Sequence, residues 1–193
     1  MKVSLFIFVL LFCTCLSAED KPIVSAGSDV FLYDIKAVNV KVLDEVTGGC
    51  LPNPQGMETA VTAALVRNGF DILENLFFGY FVIHMTGYSI TGSISCVVRI
   101  DTKYVDTISS IIPHAQNNND DQHTLVELVT DVQDEILTGP KYTMQQRVQN
   151  SIAEAADVFL LMTVRAKKNL EKDFPQLLST MEKNKQQQID EYK

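Results

Sequence analysis

The chain has 193 residues, 46% of them hydrophobic and 21% charged, a composition that fits one globular domain and excludes a disordered, collagen-like or repeat-dominated protein. Sixteen basic residues against twenty-four acidic ones give a net charge of −8. No basic stripe interleaves with aromatics, so nucleic acid is not an expected partner.

At the N-terminus Met1-Lys2 supplies a positive charge, Val3 to Phe12 is apolar but for Ser4, and Leu16-Ser17-Ala18 precedes the polar Glu19-Asp20-Lys21. This is the layout of a secretory signal peptide over residues 1–18. The apolar stretch is too short for the ~20 residues a membrane-spanning helix needs, so the mature chain is expected to begin near Glu19 without a transmembrane segment. Cys13 and Cys15 lack the Leu and small residues of a lipobox. The localisation that follows is periplasmic or secreted. Two of the four cysteines leave with the signal, and Cys50 and Cys96 remain. In an oxidising compartment an even pair suggests one disulfide. Two unconnected buried thiols are the alternative, because Cys96 lies on an apolar strand face.

Residues 19–30 read as a flexible leader, with regular structure beginning near Phe31. Val38, Val40 and Val42 alternate with Asn39 and Lys41, which predicts a half-buried strand. Gly48-Gly49-Cys50-Leu51-Pro52 breaks the pattern. Asn53-Pro54 then opens a helix, with Asn53 as the cap, and Met57, Ala60, Val61, Ala64 and Leu65 give it an apolar face. It should stop at Asn68-Gly69.

Phe77 to Met85 and Ser93 to Thr102 are the next strands, joined as an antiparallel hairpin through Thr86 to Gly92. The first is apolar on both faces, which puts it at the centre of the sheet. In the second, Ile94, Cys96, Val98 and Ile100 point one way. Pro113 to Gln122 is a polar loop, and Thr124 to Val132 a fourth strand before the acidic Asp131, Asp134 and Glu135 and a break at Gly139-Pro140. Thr143 and Gln146 form a capping-box pattern at the start of a long amphipathic helix through Val148, Ile152, Ala155, Ala156, Phe159 and Met162, obstructed at Pro175. Residues 31–175 thus make one domain. Residues 176–193 form a polar tail, helical or disordered.

The expected fold is α+β, with a mainly antiparallel four-stranded sheet in the order β-α-β-β-β-α and two helices on one face. The valine-rich strand Val38–Val42, the capped helix ending in Arg67-Asn68-Gly69-Phe70, the paired strands around Val82 and Val98 and the closing helix around Phe159 carry a resemblance. They look like the small α/β domain of outer-membrane activators of peptidoglycan synthases and of curli-secretion proteins. That resemblance implies a non-catalytic role binding a protein partner in the cell envelope, and it transfers no functional residue.

Catalytic candidates are sparse. A metal site would draw on His114, Asp120, Asp121 and His123, whose imidazoles and carboxylates suit zinc. Their spacing matches no established motif, and a solvated polar loop explains the same residues. His84, in an apolar strand, reads as a hydrogen-bonded interior residue. Asp131, Asp134 and Glu135 read as an exposed charge run rather than a calcium site. GxSxG, GxxxxGK[ST] and GxGxxG are absent. The sequence therefore assigns no catalytic residue and no cofactor. The expected function is an exported binding or assembly accessory protein, with Tyr80, Tyr88 and Tyr104 as contact candidates. A metal-dependent hydrolase using the His114–His123 loop, or a carrier of a small apolar ligand, are the alternatives.

Overall fold

A computed structural model describes residues 29–74, 79–112 and 122–191, with side chains described over 29–74, 79–107 and 125–184. The expected signal peptide and most of the leader lie outside these residues. In chain order the elements are α1 (Asp29–Leu32), β1 (Ala37–Val46), α2 (Gln55–Arg67), β2 (Asp71–Ile72), β3 (Tyr80–Ser89), β4 (Ser95–Ile112), β5 (Gln122–Pro140), α3 (Lys141–Asp173) and α4 (Pro175–Glu191).

The fold is α+β, but the sheet has five strands in the order β2-β1-β3-β4-β5 and is mixed rather than mainly antiparallel. β1 runs parallel to both β2 and β3, while β3, β4 and β5 pair antiparallel. The parallel pairs follow from the helical crossover: a chain that leaves β1 through α2 re-enters the sheet in the same direction. The expected four-strand order missed β2 because two residues carry no periodic signal.

β3 is the central strand. Phe81, Ile83 and Met85 are fully buried under the helices, while Tyr80, Val82 and His84 face the other side and are half-buried. α2 starts as its sequence demands, with Asn53 Oδ1 accepting the backbone N–H of Gly56 at 3.1 Å. At its end Gly69 takes φ +85°, and the N–H of Phe70 reaches back to the Leu65 carbonyl at 3.1 Å. Only glycine adopts that conformation without strain.

Three expectations from Ile94 onward need correction. β5 continues through Asp131, Asp134 and Glu135 to Pro140 instead of stopping near Val132, because cations on β4 neutralise Asp131 and Asp134 while Glu135 turns to the Ser151 hydroxyl. Arg99 binds both oxygens of Asp134 at 2.9 Å, and Lys103 lies 3.9 Å from Asp131. Thr143 and Gln146 do not form a capping box: Pro140 is the N-cap of α3. The Thr143 hydroxyl donates to the Pro140 carbonyl at 3.1 Å, and Gln146 instead donates to Asn150 at 2.9 Å. Ile94 does not join the core face with Cys96, Val98 and Ile100. It is 71% exposed, since it sits in the turn before β4 begins.

α2 and α3 pack on one face of the sheet. The buried stripe of α3 runs through Val148, Ile152, Ala155, Ala156 and Phe159. Phe159 is the hub, its ring centroid 5.1 Å from Phe70, 5.2 Å from Phe81 and 5.1 Å from Tyr104. One helix, one strand-entry loop and two strands therefore meet on a single side chain. Cys50 and Cys96 are disulfide-bonded, with Cα atoms 5.9 Å apart, which ties the loop before α2 to the start of β4. The tail expected from residue 176 is helical as α4, which follows the α3 cap at Phe174.

Candidate functional site

The helices cover one face of the sheet and leave the other open. Strand alternation sends Lys41 and Leu43 of β1, Val82 and His84 of β3, Arg99, Asp101 and Lys103 of β4, and Val129, Asp134 and Ile136 of β5 to the open side, as the register requires. At its centre the charges are already paired. Lys103 Nζ lies 2.8 Å from Asp101 and 3.9 Å from Asp131, and Arg99 makes a two-bond contact with Asp134. The hydrogen bond from Arg99 holds the Asp134 carboxyl below the ordinary carboxylate range, and the same bond raises the guanidinium further.

Aliphatic and aromatic residues surround this charged strip. Ile136 is 65% exposed, Tyr88 59% and Val129 54%. Beside the strip, across β1, β3, β4 and β5, Lys41, Tyr80, Val82, Val105 and Glu127 line a shallow groove of about 510 Å³. Of the tyrosines expected to make contacts, Tyr80 and Tyr88 are on this face. Tyr104 is not: it is buried under Phe159, and burial pushes its hydroxyl above the ordinary value, with Asp106 acting in the same direction.

His84 is not the interior residue the sequence suggests. Its side chain is partly exposed on the open face, with Nε2 3.3 Å from Glu45 Oε1 but out of line for a hydrogen bond. The carboxylates expected as an exposed charge run also separate. Asp131 and Asp134 share the open face, whereas Glu135 points under α3.

There Glu135 belongs to a polar group the sequence reading missed. The Ser151 hydroxyl donates to Glu135 Oε2 at 2.6 Å, and Gln133 Nε2 donates to the same oxygen at 3.2 Å. Thr102, the cross-strand partner of Gln133, is fully buried beside it. The signal that could have revealed this group is Ser151 itself, a hydroxyl within the apolar stripe of α3.

Of the metal candidates, His114, Asp120 and Asp121 lie outside the described residues, and His123 is placed by its backbone near the start of β5. Among the described residues no group of three or more His, Cys, Asp or Glu side chains is gathered as a metal site. The space expected for an apolar ligand, between sheet and helices, holds the rings packed on Phe159. Among the described residues no helix is long and apolar enough to cross a membrane.

No protein family matches the chain, and no curated protein matches it. A solved structure that does match is a dodecamer of a PelC point variant from Paraburkholderia phytofirmans, 10% identical over 66% of this chain and 88% of that one, with a TM-score of 0.38. That likeness assigns neither a family nor a function.

Proposed function

We propose that this protein is an exported, non-enzymatic binding or assembly accessory of the cell envelope, whose partner is another envelope protein held on the open face of the sheet. One observation carries this reading: the uncovered face sets exposed Val129, Ile136 and Tyr88 around charges that are already ordered by Arg99–Asp134 and Lys103–Asp101. Charges fixed in advance lose less side-chain freedom on association, and apolar residues beside them supply the area to bury. The buried disulfide and the signal-like N-terminus support export, since such a bond persists in oxidising compartments. The resemblance to peptidoglycan-synthase activators and curli-secretion proteins agrees with a partner-binding role.

The test is affinity capture from the native envelope with the wild-type protein and two double variants. Val129→Glu with Ile136→Glu should abolish recovery of the partner. Leu161→Glu with Val164→Glu, on the exposed side of α3, should leave it intact. A partner recovered equally by all three would overturn the reading. N-terminal sequencing of the recovered protein should begin near Glu19, and an intact Met1 would refute export by cleavage.

A further inference from the structure

β5 is the last strand of the sheet, so one side of its backbone meets no strand among the described residues. Which groups are left over follows from the pairing. The Lys141 N–H donates to the Ile94 carbonyl at 2.8 Å, which makes Lys141 and Ile94 a hydrogen-bonded pair. Antiparallel pairs alternate between bonded and non-bonded. Counting back through the register, Gly139, Leu137, Glu135 and Gln133 bond inward to β4, and Thr138, Ile136 and Asp134 turn their N–H and C=O outward. The Arg147 side chain takes the Thr138 carbonyl, which closes that end of the edge. Pro140, which has no N–H, occupies an outward position, where none is missed. Beyond the irregularity opposite Thr102 and Lys103, the same alternation turns Asp131, Val129, Glu127 and Leu125 outward. The edge open to a further strand therefore runs from Leu125 to Ile136.

The residues with outward backbone groups are the ones whose side chains stand on the open face. They alternate in chemistry from Leu125 to Asp131, with Asp134 and Ile136 following: Leu125, Val129 and Ile136 are exposed aliphatics, and Glu127, Asp131 and Asp134 are acids. From Gln122 to Pro140 there is no lysine or arginine. An added strand would meet outward backbone groups together with a row of carboxylates and aliphatic side chains.

We propose that β5 is a docking edge for an extended segment of a partner protein in which every second residue is in turn basic and aliphatic, added to the sheet as a further strand. This rests on the partner-binding reading above and specifies its geometry. Main-chain hydrogen bonds supply the affinity of such a contact, and side chains at every second position supply its selectivity. Charge complementarity sets the choice of occupant: lysines or arginines of the added strand fall beside Glu127 and Asp131. A second copy of this chain is a poor occupant, because pairing two β5 strands brings both sets of carboxylates together with no lysine or arginine from either strand.

The experiment uses the intact protein and a fluorescein-labelled ten-residue peptide, Lys-Thr-Val-Thr-Lys-Thr-Val-Thr-Lys-Thr, which sets lysine and valine in turn on one face, followed by fluorescence anisotropy. Binding should weaken at least tenfold when the peptide is N-methylated at every second residue, on the edge that would meet β5. It should also weaken at least tenfold in Ile136→Pro, which removes an outward N–H and no bond to β4, and in Glu127→Lys with Asp131→Lys, which keeps the backbone and reverses the charge. A circular dichroism melt of each variant verifies that it is folded. Should Ile136→Pro fail to fold, the N-methylated peptide reads the same backbone bonds on the unaltered protein.

Equal affinity for the methylated and unmethylated peptides would overturn strand addition and leave charge attraction alone. Absence of binding would overturn it too, as would dimerisation of the peptide-free protein that Ile136→Pro abolishes. Capture of a partner that still depends on Val129 and Ile136 would, in those cases, keep the open-face reading while this one fails. Capture that ignores the open face would sink that reading independently.

Discussion

The side-chain amide of Gln145, on the first turns of α3, closes a two-way bond with the backbone of Asn53. Asn53 N–H donates to Gln145 Oε1 at 3.2 Å, and Gln145 Nε2 donates to the Asn53 carbonyl at 2.9 Å. Asn53 in turn caps α2, so one glutamine links the start of one helix to the start of the other. The disulfide anchors the same loop three residues earlier, at Cys50. Gln145→Ala should cost about 1 kcal/mol, because both bonds are solvent-accessible and each contributes a fraction of that net. Gln145→Glu should cost more at neutral pH, since a carboxylate then faces the Asn53 carbonyl with no donor. Urea denaturation of the two variants against wild type checks the order.

Replacing Cys50 and Cys96 together by alanine should lower stability by about 3–4 kcal/mol, the chain-entropy value for a loop of that length. Chemical denaturation under non-reducing conditions measures it. Thiol titration of the native wild-type protein should find neither cysteine reactive, because both are fully buried and bonded.

Phe159→Ala should be among the most damaging single substitutions, at about 3–5 kcal/mol for a fully enclosed aromatic. Phe159→Leu should cost less, since it leaves a smaller void among Phe70, Phe81 and Tyr104. Thermal melts compare the two. A loss for Phe159→Ala no larger than that of a surface substitution would mean that the core does not converge on this ring.

Asp134 gives the pH dependence. Its folded value lies below its unfolded one, chiefly through the hydrogen bond from Arg99. A carboxyl lowered in this way stabilises the fold fully above the unfolded value of about 4 and loses that contribution as the pH falls through the lower folded value. An NMR titration of the Asp134 carboxyl should therefore show a midpoint below the ordinary range in wild type. In Arg99→Gln the midpoint should rise towards it. Both side chains are exposed, so the effect on global stability is small.

The parts of the fold legible in the sequence are those whose signals are local. Asn53-Pro54 and Asn68-Gly69 bracket α2 because capping and left-handed glycine act within a few residues. The double apolar pattern of Phe81 to Met85 marks a strand flanked on both sides by neighbours, and β3 is that strand. What escaped depends on distant partners. Asp131 and Asp134 read as a strand end until Arg99 and Lys103 stand opposite them, and Thr143 reads as a cap until Pro140 takes that position. His84 reads as interior because its own strand is apolar, and only the placement of the helices shows which face stays open. The pairing of Cys50 with Cys96, against two separate thiols, is likewise decided by the fold that brings them together. For the candidate site, residue type singled out the histidines and acids of one loop, most of which lies outside the described residues; the open face draws on four strands and has no contiguous motif.

Pro140 ends β5 and Lys141 begins α3 with no residue between them, and this junction leaves the chain no slack. One inserted residue would turn every side chain of the helix by about 100° about its axis. The stripe through Ile152, Ala155 and Phe159 would then point along the surface instead of into the sheet. Spacing across this joint is therefore fixed to the residue.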